Sequence, residues 1–492
     1  MKKGYIASRI AVVLLFILPF LVIPSKADES GPDLTIAMGT TGNTVYDGSF
    51  RHIVGKYEAE TGKDIEVERY DSKDLNTVMN IKILSGEGPD MFLAASIPYR
   101  SMAERKMFAD IGALIEKDPD VDIEDFFPNI IKPLMDEEGH LYLMPCSFDF
   151  KAVLINKPLL NENSMEMPEG TLENLIKTCV EFTERTKNEP NAYALLWGTG
   201  EIADGAKKEL ITAMDYRKKI SFFSEIDDTV YNLIGNPPYI SSSKDVGKVP
   251  LLHDISPYLI ISDSPSLDLP WNNAGVMNIF EYDEYEVRNF PRISNYKEEY
   301  FYMPTLAFCI NKAGNVEEAW QFLKYLLSDE VQTGTLSMQY VIVNPVNIKA
   351  AEKRSELIRE EVSKQAEYKR QGLPPISSLN YSTHTADEFE INIDRYLSIY
   401  AQMRDALRTP VLCEPILQES IYSAIEQEAG ENFDPQEMKK ELARIVDVYM
   451  GEGSGDIQSG YTIVYIIAGA VVVLSAVIIV AGRKKRGSKR PA

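Results

Sequence analysis

The chain has 492 residues, 45% of them hydrophobic and 25% charged, enough to bury the cores of two or three domains. Its net charge of −23 excludes nucleic acid and an anionic membrane surface as main partners, since both need basic patches. Four scattered cysteines without a CxxC pair exclude a disulfide scaffold and read as buried thiols, and four scattered histidines without HExxH or EF-hand spacing exclude a designed metal site.

Residues 1–27 read as a secretory signal peptide. Lys2, Lys3 and Arg9 precede an apolar run over 10–23, and Pro24-Ser25-Lys26-Ala27 ends in a small-x-small cleavage site. Residues 34–38 (LTIAM) predict a strand, and Ser49 predicts the cap of a helix whose Phe50, Ile53, Val54 and Tyr57 share one face. Gly62 ends that helix, and 65–70 (IEVERY) predict the next strand. A helix from Asp74 runs to the turn GEGPD, where glycine and proline stop it. Residues 91–95 (MFLAA) are apolar without alternation, as in a strand covered on both faces.

This β-α-β-α-β series predicts a parallel, doubly wound sheet with right-handed crossovers. Ligands of such sheets sit at the carboxyl edge. That rule makes Thr40, Thr41 and Asn43, which follow the first strand, and Ser96, which follows the third, candidate solute contacts. The GTTG spacing lacks the lysine of a phosphate loop.

Residues 140–145 and 152–156 predict two strands flanking a loop at 146–151, which breaks the rhythm and reads as the passage out of a first lobe. Thr171 caps a helix with Leu172, Leu175, Ile176, Cys179 and Val180 on its buried stripe, and 193–197 (YALLW) predict a strand. Trp197, beside a Gly-Thr-Gly opening, and Trp271, between Pro270 and two asparagines, are candidate stacking surfaces for a solute ring. The acidic run at 281–286 reads as a solvated loop. Residues 303–311 predict a strand, and Asn315 caps a helix lined by Val316, Trp320, Leu323 and Leu327, which places Trp320 in the core. A short extended piece follows at 340–343, and 350–450 are mainly amphipathic helix.

The linker GEGSGDIQSG (451–460) leads to 22 uncharged residues at 461–482, which at about 1.5 Å per residue cover a bilayer core of about 30 Å. The basic tail 483–492 then stays cytoplasmic and leaves the large N-terminal part outside.

In their order along 33–348, the segments LTIAM, IVGKYEAETGKDIEVERY, SGEGPDMFLAA, GHLYLMPCSFDFKAVLINKPLL, PEGTLENLIKTCVEFTERT, GVMNIF and EEAWQFLKYLLSDEVQ…VIVNPVN resemble the extracellular solute-binding proteins of ABC importers, the family that includes sugar binders. The resemblance implies an α/β fold of the two-lobed periplasmic-binding-protein type, with doubly wound sheets joined by hinge crossovers. Lobe 1 would take 28–150 and about 300–348, lobe 2 would take 151–299, and 349–450 would pack on both. It also implies that Ser147, Phe148 and Asp149 of PCSFDF touch the solute. No lipid-bearing cysteine follows the signal peptide, so the C-terminal span takes the role of anchor. The stretch 218–270 does not align with the family pattern.

The implied function is capture of a small solute, a sugar or oligosaccharide first, for delivery to ABC permease subunits, with no cofactor, metal or catalysis. Two alternatives keep the same sequence features: a tethered sensor signalling to another membrane protein, and a surface enzyme acting on polysaccharide, for which no nucleophile motif is present.

Overall fold

A computed structural model describes residues 31–452 apart from 40–43, 71–77, 95–98, 190–191, 197–198, 216–219, 243–257, 268–284, 295–299, 335–341, 374–385, 413–414 and the single positions 80, 84, 87 and 431. Outside the described residues lie the expected signal peptide, Thr40, Thr41, Asn43, Ser96, Trp197, Trp271, Cys413, the 461–482 span and the basic tail. Among the described residues, no helix is long and apolar enough to cross a membrane.

Lobe 1 begins with β1 (Leu34–Gly39), β2 (Ile65–Tyr70) and β3 (Met91–Leu93). β1 runs parallel to both neighbours, with Leu34 opposite Ile65 and Ile36 opposite Met91. The connecting helix α1 (Thr44–Thr61) buries Phe50, Ile53, Val54 and Tyr57, the stripe expected from the sequence. It starts at Thr44 rather than at Ser49, which is buried inside it. Packing of that stripe carries the helix through Gly48, where propensity alone costs about 1 kcal/mol. Gly62, in the left-handed region at φ 73°, ends it by donating its N–H to the Glu58 carbonyl at 2.8 Å.

The GEGPD turn is explained by Asp90. Its Oδ2 accepts from the Thr35 backbone N–H (2.8 Å) and hydroxyl (2.7 Å), and its Oδ1 accepts from the Asn315 N–H (2.6 Å). One carboxylate thus ties the start of β1 to the start of β3 and to the cap of helix α7 (Val316–Leu327). Asn315 caps α7 through Glu318 N–H, and Trp320 is core, donating to Asp118 Oδ2 at 2.8 Å.

The passage at 140–156 differs from the reading as two strands about a loop. Residues 140–143 are not strand, and the supposed loop is β4 (Met144–Asp149), antiparallel to β11 (Tyr300–Ile310). Its partner lies about 160 residues away in sequence, so no local pattern shows the pairing. β11 also pairs antiparallel with β3 and parallel with β12 (Leu407–Pro410), completing the lobe 1 sheet in the order β12-β11-β3-β1-β2, with β4 on β11. Helices α2 (Tyr99–Glu104), α3 (Ile111–Lys117), α8 (Asp329–Thr333), α9 (Ile348–Arg370) and α10 (Ala386–Asp405) add to this lobe. Ile358, Val362 and Ala366 of α9 and Tyr396, Leu397 and Tyr400 of α10 belong to its core.

Lobe 2 is a second sheet in the order β10-β5-β9-β6, built from β5 (Ala152–Asn156), β6 (Tyr193–Leu195), β9 (Tyr258–Asp263) and β10 (Tyr285–Asn289). β5 is antiparallel to both neighbours and wholly buried. Helix α4 (Leu172–Arg185) is capped by Thr171 and buries Leu172, Leu175, Ile176 and Cys179 as expected, joined by α5 (Thr199–Thr212), α6 (Asp228–Gly235) and a small hairpin of β7 (Met214–Asp215) and β8 (Ile220–Ser221). The last helices, α11 (Pro415–Glu428) and α12 (Pro435–Glu452), fill this core with Leu417, Ile421, Ile425, Met438, Leu442 and Val446. The helical C-terminal region is therefore divided, with α9 and α10 on lobe 1 and α11 and α12 on lobe 2.

Cys146, Cys179 and Cys309 are free and buried; burial raises the Cys146 thiol and pushes that of Cys179 up to about 12, which keeps both protonated and unreactive.

Candidate binding cleft

The chain leaves lobe 1 after Asp149, reaches it again by Leu267, lies in lobe 2 once more at β10, is back in lobe 1 by Tyr302, and leaves it between Leu407 and Val411. Asn344 locks the first two of these crossings together. Its backbone N–H donates to Ser147 Oγ (3.1 Å) and its carbonyl accepts from the Phe148 N–H (3.2 Å). Its side-chain amide donates to the Phe148 and Pro265 carbonyls (3.0 and 3.2 Å), and its Oδ1 accepts from the Leu267 N–H (3.1 Å) and the Tyr400 hydroxyl (2.9 Å). Phe148 packs edge-on against Phe127 and Tyr302 and stacks with Phe150. Both Ser147 and Phe148 are 0% exposed. The structure packs both into the crossover, because β4 turns inward onto β11.

Asp149 is the half-buried member of the three. Burial raises its carboxyl above the ordinary carboxylate range, while Lys151 and Lys208 pull it back.

Between the lobes lies a cleft of about 1070 Å³. Lobe 1 lines it with α2 (Tyr99, Arg100, Glu104) and with the segment from Pro133 to Tyr142; lobe 2 supplies Thr212, Met214, Phe222, Glu225 and Arg292, and the crossing strand supplies Thr409 and Pro410. The lobe 1 wall is a tight turn. Asp136 accepts the His140 N–H at 2.7 Å and faces its Nδ1 at 3.1 Å, while Gly139 takes φ 88° so that its N–H reaches the Asp136 carbonyl. Asp110 Oδ1 accepts from Leu141 N–H at 3.1 Å, holding the turn to the start of α3. The His140 ring stacks on Tyr142 at 5.7 Å and 28°. Asp136, Glu138 and His140 have ligand atoms within 4.8 Å of one another and could hold a cation, a grouping whose i, i+2, i+4 spacing the search for known metal motifs passed over.

On the lobe 2 wall Arg292 is 0% exposed. It donates from Nε to Glu209 at 2.8 Å and from a terminal nitrogen to Thr212 Oγ1 at 3.0 Å, and lies 5.8 Å above the Phe301 ring. Buried Glu209 is raised by desolvation against the opposing pull of Arg292. None of these cleft residues was singled out from sequence. A DEEGH turn and a lone arginine are ordinary surface chemistry until the fold sets them face to face.

Two α/β lobes, joined by several crossing segments around a cleft with aromatic and polar walls, define a receptor for a small solute. The family model described as bacterial extracellular solute-binding protein matches residues 41–333, and the chain belongs to that family. Among solved structures, the fold is similar to a periplasmic solute-binding protein of Pectobacterium atrosepticum (13% identity, 85% of this chain, 99% of that one, TM-score 0.52). It is also similar to the sugar-binding protein MalE of Xanthomonas citri (13%, 85% and 97%, 0.52) and to the maltose/maltodextrin-binding domain MalE of Bdellovibrio bacteriovorus bound to maltotriose (15%, 85% and 99%, 0.50). No curated protein matches the chain.

Proposed function

We propose that this chain is an anchored, outward-facing receptor that captures a small solute between its lobes and hands it to the membrane subunits of an ABC importer. The observation that carries the reading is the cleft of about 1070 Å³ between the two lobes of a solute-binding-family chain. Its Tyr99 and Tyr142 rings suit the apolar faces of a sugar, and its carboxylates and threonine hydroxyls suit the hydroxyls. Sharing the fold with sugar binders, one of them bound to maltotriose, supports carbohydrate as the solute.

In this reading Thr40, Thr41, Asn43, Ser96, Asp149, Trp197 and Trp271 are further solute contacts. Ser147 and Phe148 act through the hinge they hold. Residues 461–482 anchor the receptor and 1–27 export it. The receptor does no chemistry on the solute.

A thermal-shift panel of sugars, peptides, polyamines and anions on the full chain in detergent tests this. A ligand at about 100 times its Kd adds about 2.7 kcal/mol and raises Tm. No shift from any member of the panel would contradict the receptor reading. Deleting 461–482 should move the protein from floated membranes to the soluble fraction, and retention on the membrane would contradict the anchor.

A further inference from the structure

Building on the reading of the cleft as a solute site, we propose that the cleft selects solutes carrying a positive charge, above all an amine-bearing sugar, and that the turn 136–142 reads that charge. The balance of charge on the lining is the first observation. Glu104, Asp136, Glu137 and Glu138 line the lobe 1 wall and Glu225 lines lobe 2, against Arg100 and Lys106. A third cation, Arg292, is spent on Glu209, buried beside it at 2.8 Å, and so adds no net charge to the cleft. Between two low-dielectric walls such a field is focused rather than screened.

Shape is the second observation. Asp136 and Glu138 do not stand alone; with Asp110 they lie beside the stacked His140 and Tyr142 rings. Asp136 contacts His140 Nδ1 from one side, and Asp110 Oδ2 lies 3.9 Å from its Nε2 on the other. Asp136, Asp110 and Glu138 all act on the Tyr142 hydroxyl, whose proton loss they oppose in addition to burial. Ring faces combined with carboxylates recognise an ammonium group twice, by cation–π attraction and by charge-assisted hydrogen bonds. A neutral sugar would use the rings and hydrogen-bond the carboxylates but gain nothing from their charge, and an acidic sugar would be repelled. A divalent metal ion offers the same positive charge to Asp136, Glu138 and His140, so the test separates the two sources.

Calorimetry on the full chain in detergent uses a glucosamine trisaccharide, maltotriose, a galacturonic acid trisaccharide, and calcium, manganese or zinc chloride alone. The amino sugar should bind at least about tenfold more tightly than maltotriose, and the acidic one should not bind. Glu138→Gln, at an exposed position, should weaken the amino sugar about tenfold, the scale of one charge-assisted hydrogen bond, and weaken maltotriose far less, since an amide still accepts from a hydroxyl. Maltotriose or the acidic sugar binding as tightly as the amine would overturn charge selection while leaving the receptor intact. A metal-only heat lost in Glu138→Gln, without preference for the amine, would overturn the amine assignment. Failure of all three sugars, together with a silent thermal-shift panel, would instead remove the receptor reading on which this one rests.

Discussion

In the crossover, Ser147, Phe148, Asn344 and Tyr400 are shut away from water, and the side chain of Asn344 makes four hydrogen bonds. On the lobe 1 wall of the cleft, only a few residues before Ser147 in the chain, Glu137 and Glu138 stand in solvent and His140 is held by a carboxylate at the surface. Stability is concentrated in the first region and recognition in the second. A buried amide with every partner met fixes one geometry. Exposed charges around a ring add little to folding and line the cleft where a solute would enter. Asp149 belongs to neither group cleanly, and its raised carboxyl reflects that position between them.

Mutations in the two regions should therefore separate stability from binding. Phe148→Ala should have the largest effect, a loss of about 3–5 kcal/mol measured by urea unfolding, because the ring is fully buried among three aromatic neighbours. A loss below about 1 kcal/mol would show that the crossover is not the packed region described. Asn344→Leu should cost about 3 kcal/mol, since it strands two buried carbonyls, the Leu267 N–H and the Tyr400 hydroxyl.

Asp149→Asn should act in the opposite sense. The folded carboxyl is raised above its unfolded value, so ionising it costs the folded state as pH rises through the folded pKa. The asparagine variant should melt higher than the parent at about pH 8, with the gap closing towards about pH 3, where both states of the parent are protonated. A gap that widens in acid would reverse the assignment. The smallest change in folding, within about 0.5 kcal/mol, is expected for Glu138→Gln, whose effect belongs to solute binding.

The order of legibility follows the range of the interactions. α1, α4 and α7 show in the sequence because an apolar stripe, a capping Thr171 or Asn315 and a terminating Gly62 are all local signals. β4 was taken for a loop because its partner β11 lies far along the chain, and β9 and β10 went unread for the same reason. The carboxyl-edge rule pointed to residues after β1 and β3, yet it could not find His140, Tyr142 or Arg292. Those sit on the cleft only because one turn from lobe 1 and one buried ion pair from lobe 2 are brought together by repeated crossings of the chain. The family pattern supplied the two lobes. The charge on the walls is a property of the folded cleft, seen only once the 136–142 turn faces lobe 2.

The central claim is that the lobes close over a solute held in this cleft. Spin labels at Arg51 on α1 and Glu437 on α12, both exposed and on different lobes, report it directly, with Cys413 replaced by serine and the buried Cys146, Cys179 and Cys309 left in place. Saturating solute from the thermal-shift panel should shorten the distance between the labels and sharpen its distribution, and Tyr142→Ala should abolish the change. A distance that stays the same when the solute is bound would contradict the account.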